Sequence, residues 1–111
     1  MIEIKLLEKA IKDGDAGEIN PTLMTAYSNS KEQGLDEIDF DTVIWQEDIE
    51  PIINTCRAEG IQTFTISASM GCLLDVLGEM QARGCRIEGM KKVVRKYLSI
   101  RSEKTAIIIR V

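Results

Sequence analysis

The stretch Gln62-Thr-Phe-Thr-Ile-Ser67-Ala-Ser69-Met-Gly71-Cys72-Leu73-Leu74-Asp75-Val-Leu77-Gly-Glu79-Met80 decides the fold. Its first six residues are rich in Thr, Phe and Ile and follow Gly60, the composition of a strand on a half-buried pleated surface. Directly afterwards the period changes. Met70, Leu73, Leu74, Leu77 and Met80 form an apolar stripe with Asp75, Glu79 and Gln81 opposite, and Ser69 is the expected N-cap of the helix that carries it. Gly84 ends that helix. Residues 85–98 and 104–111 are strand-like and joined by a polar turn, so they predict a hairpin. The last strand is apolar on both faces, with Ile107, Ile109 and Val111 on one and Ala106 and Ile108 on the other. A strand of that kind belongs in the middle of a sheet, between the other two.

Upstream of this β-α-β-β unit the chain reads as helical. Ile4, Leu7 and Ile11 recur on one face of residues 2–13, and Asp13-Gly14-Asp15 interrupts the pattern. Asn20 and Pro21 are an N-cap and a first helical position for a second helix ending near Gly34. Trp45, Ile49, Ile52, Ile53 and Cys56 mark a third, with Asp48 as its expected cap and Pro51 tolerated in its first turn. Residues 35–42, LDEIDFDT, combine alternating apolar residues with four acids; an acidic loop is expected there, with a short edge strand as the alternative. Three segments repeat one grammar, a helical turn followed by Gly34-Leu35, Gly60-Ile61 or Gly84-Cys85, which is the signature of a left-handed C-terminal cap. The expected architecture is one α+β domain over residues 1–111. Helices in residues 1–60 pack on a three-stranded mixed sheet formed within residues 61–111.

Composition excludes several chemistries. The 111 residues contain no histidine, so Ser-His-Asp and Cys-His catalysis and mixed Cys/His zinc sites are ruled out. Cys56, Cys72 and Cys85 are odd in number and lack framework spacing, which together with an N-terminus lacking an export signal points to reduced thiols in the cytoplasm. Neither GxGxxG nor GxxxxGK[ST] occurs, and no cofactor or metal is expected. No apolar run approaches the roughly 20 residues that cross a bilayer, so no membrane partner is expected.

Two candidate sites remain. Ser67, Ser69, Gly71 and Cys72 gather hydroxyls, a glycine and a thiol at a helix start, where free N–H groups and the helix dipole attract an anion. The bland account is a cap, a close-packing glycine and a buried thiol. The second candidate comes from charge. Residues 1–82 carry 5 basic and 16 acidic side chains, whereas residues 83–111 carry 9 basic and 2 acidic. Within the latter, Lys91, Lys92, Arg95, Lys96, Tyr97, Arg101 and Lys104 form a candidate basic surface on the hairpin for an acidic protein, a nucleic acid or another subunit of a homo-oligomer. The competing account is a solvated hairpin whose charges deter edge pairing. The acid pairs Asp13/Asp15 and Asp39/Asp41 and the group Glu47/Asp48/Glu50 are expected to sit in loops or helix starts for solvent and dipole reasons, not for catalysis.

The segment Ala58-Glu-Gly-Ile-Gln-Thr-Phe-Thr-Ile-Ser67, continuing through residues 73–77 to Gly84-Cys85-Arg-Ile-Glu-Gly-Met90, resembles a small uncharacterised protein family of Gram-positive bacteria and their phages or mobile elements. The resemblance covers roughly the second half of the chain and brings no assigned activity or site residue. The function expected is therefore a non-enzymatic binding or accessory protein acting through its basic hairpin. The alternative is a small-molecule or phosphate-binding enzyme using residues 67–72.

Overall fold

The computed structural model describes residues 2–14 and 19–111. Asp15 of the acid pair Asp13/Asp15 lies outside them. The element order is α1 (Lys5–Asp13), α2 (Pro21–Glu32), β1 (Asp39–Phe40), α3 (Gln46–Ala58), β2 (Thr63–Ile66), α4 (Leu73–Ala82), β3 (Arg86–Tyr97) and β4 (Ile100–Arg110). The sheet has four strands in the order β1-β2-β4-β3. β4 lies between β2 and β3, antiparallel to both, as its two apolar faces require. The fourth strand is β1, parallel to β2, so the acidic stretch expected as a loop is instead a short edge strand. Its backbone is secured by Thr65 N–H donating to Ile38 O at 2.9 Å and Ser67 N–H to Phe40 O at 3.0 Å.

Strand alternation sorts the two faces. Phe40, Phe64, Ile66 and Ile109 belong to the main core, which the helices complete with Leu7, Leu23, Tyr27, Ile52, Ile53, Val76 and Met80. Thr65, Ala106 and Val93 are buried on the opposite face, outside that cluster. What covers them is the hairpin itself. β3 and β4 pair along their whole length, but β2 reaches only residues 107–110 of β4, so the distal part of the hairpin projects as a two-stranded arm. A register shift between Ile87 and Gly89, with Gly89 at φ +153°, marks a bulge, and bulges increase right-handed twist. The arm coils so far that β3 meets the segment around β1 at the far edge of the sheet. Lys96 N–H donates to Gln33 Oε1 at 2.8 Å, and Gln33 Nε2 donates to Lys96 O at 3.0 Å.

Local chemistry explains most helix boundaries. Asn20 accepts from Leu23 N–H at 3.0 Å, as its N-cap position predicts. Gly34, Gly60 and Gly84 all have left-handed φ, between 70° and 93°, and the residue after each donates its N–H to the carbonyl five positions earlier: Leu35 to Ser30, Ile61 to Cys56, Cys85 to Met80. That is one capping motif used three times. Asp48 does not cap α3 from outside. It is the third helical residue, accepting from Trp45 N–H at 3.1 Å, Asn20 Nδ2 at 2.9 Å and Thr22 Oγ1 at 2.8 Å, so it ties two helix starts together. Pro51 accordingly lies past the first turn. In α4 the N-cap is Cys72, not Ser69, and Leu74 of the expected stripe is 83% exposed while Val76 takes the inward place. In α1 the buried residues are Leu7 and Ala10, and Ile11 is turned outward.

α1 is held to α2 by a polar cluster. Tyr27 OH donates to Glu8 Oε1 at 2.6 Å and accepts from Ile4 N–H at 3.2 Å, and Lys31 also binds Glu8. The Lys31 bond, then the Tyr27 bond, hold the Glu8 carboxyl below its ordinary value of 4.5. A carboxyl lowered by folding contributes stability that is complete above the unfolded value and disappears as pH falls through the folded one. Amide exchange in α1 is therefore expected to accelerate relative to α3 as pH drops from about 5 to about 3, the carboxylate range. Unchanged relative protection of α1 would refute the coupling.

Candidate functional site

Beneath the arm lies a buried charge pair that the sequence reading placed in solvent. Asp39 is fully buried because its neighbours Ile38 and Phe40 enter the core face and alternation turns it to the opposite face. There Oδ1 accepts from Thr65 Oγ1 at 2.7 Å, and Oδ2 from Ser67 Oγ at 2.7 Å and Arg95 Nη2 at 2.8 Å. Ser30 Oγ accepts the Asp39 N–H at 2.9 Å. Arg95 Nη1 lies 3.3 Å from Asp41 Oδ2, which also accepts from Tyr97 OH at 3.4 Å. Arg95 is 1% exposed, so it must be removed from the candidate basic surface: the coiling of the arm buries it. Burial opposes its charge, but the Asp39 bond and the Asp41 and Asp39 carboxylates outweigh that and hold its pKa above the usual value. Both Asp39 oxygens accept from these donors, which suits a clasp between β1 and β3.

The remaining basic residues divide into tied and untied. Lys91 pairs with Glu37 at 2.5 Å, beside a cavity of about 350 Å³ between the α2–β1 loop and β3. Lys92 donates to Thr105 Oγ1 at 2.7 Å. Arg110 pairs with Glu88, and Arg83 with Glu50 and Glu79. Among the described residues Lys96, Arg101 and Lys104 have no ion pair, and Lys96 and Arg101 stand directly opposite each other in the β3–β4 ladder. Like charges facing across a strand pair destabilise it. At the tip, Tyr97, Leu98 and Ile100 are exposed, and Leu98 holds φ +59°, a strained conformation for a leucine.

The helix-start candidate is dispersed. Ser67 donates to Asp39; Ser69 and Gly71 are exposed; Cys72 is half-buried, with Sγ 4.0 Å from Ile44 O. The three cysteines are free thiols. Burial pushes Cys56 up to about 12 and also raises Cys85. Among the described residues no group of three potential ligands could hold a metal ion, and no helix is long and apolar enough to cross a membrane.

The residues that organise this region and were missed are Ser30, Asp39 and Asp41 with Thr65. The available signal was the alternation Ile38-Asp39-Phe40 beside Thr63-Phe64-Thr65, two short segments with matching polar positions. A family model described as "Domain of unknown function (DUF7698)" matches residues 22–110. No curated protein and no solved structure matches the chain.

Proposed function

We propose, from the premise that the chain belongs to this family of unknown function, that it is a non-enzymatic binding protein whose hairpin arm contacts an acidic partner. The observation that carries the reading is the opposed pair Lys96 and Arg101 near the turn of the coiled arm. Two cations set face to face without an anion gain from a partner's carboxylates or phosphates what they cost the isolated chain. Exposed Leu98 in the turn, with Tyr97 and Ile100 on the opposite face of the ladder, adds apolar contact at the tip. Work in the cytoplasm, where three free thiols are stable, and an accessory role in a bacterial phage or mobile element complete the proposal.

The test is retention of the protein by three polyanions, duplex DNA, single-stranded DNA and polyglutamate, at low and moderate salt. Wild type is expected to bind at least one, with affinity falling as salt rises. The Lys96→Glu/Arg101→Glu variant should lose that binding. If instead each cation is only neutralised, as in Lys96→Gln/Arg101→Gln, the slope of log affinity against log salt for DNA should fall by roughly two. Absence of salt-sensitive binding to all three polyanions, together with absence of salt-sensitive self-association, would end the reading.

A further inference from the structure

A groove on the helical side of the molecule has the chemistry the arm lacks. It lies between the starts of α3 and α4, encloses about 580 Å³, and is lined among others by Trp45, Glu47, Ile49, Asp75 and Glu79. Trp45 is 58% exposed, and Val43 and Leu74, close to it in sequence or on the same first turn of α4, are exposed too. Glu47, which shares the first turn of α3 with Asp48, and Asp75 in the first turn of α4 have no ion pair among the described residues. Dipole stabilisation accounts for acids at those positions. It does not account for an indole left in solvent between them. An exposed aromatic face flanked by carboxylates is suited to a cation carried on an apolar stem, or to an apolar side chain flanked by cations.

The arm tip presents that combination. Leu98 in the turn is fully exposed and Ile100 is 69% exposed, and Lys96 and Arg101, one ladder step back and on the opposite face from Tyr97 and Ile100, have no ion pair among the described residues. Of the large exposed apolar residues, Trp45 lines the acidic groove and Tyr97, Leu98 and Ile100 lie at the basic tip. No residue of the arm lines the chain's own groove, and Arg95 and Gln33 anchor the arm elsewhere. We infer that the acidic partner is a second copy of this chain, with the arm tip of one protomer seated in the groove between α3 and α4 of the other. The inference rests on the arm reading above and names its partner from charge complementarity. Reciprocal exchange of arms closes a two-fold dimer; one-way insertion gives a concentration-dependent ladder. Both are the same contact.

Light scattering of the full chain at about 100 μM, at low and moderate salt, tests it through a charge swap. Wild type is expected to associate at low salt and to dissociate as salt rises. Lys96→Glu/Arg101→Glu places an acidic arm against an acidic groove and should be monomeric; Glu47→Lys/Asp75→Lys places a basic arm against a basic groove and should be monomeric too. An equimolar mixture of the two restores complementarity at both contacts and should recover the wild-type mass. Leu98→Gly removes an exposed side chain and relieves the positive φ, so it should weaken association at low salt while leaving or raising the melting temperature at moderate salt, where wild type is dissociated as well. A wild-type monomer at low salt, or a mixture that stays monomeric, overturns the inference. If wild type is monomeric yet binds a polyanion through Lys96 and Arg101, only the identity of the partner is wrong. If neither occurs, the arm reading fails with it.

Discussion

Replacing Arg95 by alanine is expected to destabilise the protein by about 3–5 kcal/mol, the usual cost of removing one partner from a buried ion pair. The cost arises less from the lost attraction than from what remains. Asp39 stays fully buried with its Thr65 and Ser67 donors but no counter-charge, and Asp41 loses the guanidinium 3.3 Å away. The covering of the second sheet face is lost as well, because Arg95 is among the largest fully buried side chains of the molecule. Urea denaturation followed by a probe on the arm should show the midpoint fall, and the melting temperature read there should drop by roughly 10–20 °C for a chain of this size. Asp39→Asn should cost less than Arg95→Ala, since the amide still accepts from Thr65 or Ser67. The double variant should cost less than the sum of the singles, because the two changes act on one bond. A loss below about 1 kcal/mol for Arg95→Ala would mean that the arm is not fastened by this pair.

That residue also shows where the sequence ceases to be legible. The β2–α4 unit, the hairpin, the central place of β4 and the three glycine caps could be read because each depends on neighbours within a few residues. Arg95 depends on residues more than fifty positions away, brought to it by the coil of a bulged hairpin. Counted along the chain it is one of nine basic residues in a basic segment; in space it is the one that faces two aspartates. Asp39 was obscure for a related reason. A two-residue strand gives periodicity too little length to register, and its acidic neighbours Asp36, Glu37 and Asp41 make the segment resemble a loop. Lys96, Arg101 and Lys104 were legible as surface cations, whereas the groove at Trp45 was not. Its residues come from two helix starts, and each acid is explained locally by the helix it begins.

Phe64→Ala should have an effect of similar size, about 3–5 kcal/mol, for an entirely different reason. Phe64 is fully buried in β2, the strand that joins β1 to the hairpin, and its ring meets Phe40 edge-on at 5.1 Å between centroids and 69° between planes. Across the ladder its partner is Ile109 of β4. Truncation removes the apolar contact shared by three strands and leaves a cavity that a short sheet fixed by helices on one side and a coiled arm on the other has little freedom to close. Phe64→Leu, which keeps most of the volume, should cost about 1–1.5 kcal/mol. The two losses also separate the roles of the two faces. Arg95→Ala removes the clasp on the arm and leaves the helical core whole, so probes on the arm should lose order before probes on α3. Phe64→Ala weakens the core on which every strand is mounted, so helix and arm should unfold in one coincident transition at a lower denaturant concentration. If instead the arm melts first in Phe64→Ala and last in Arg95→Ala, the assignment of the clasp to Arg95 and of the keystone to Phe64 is reversed.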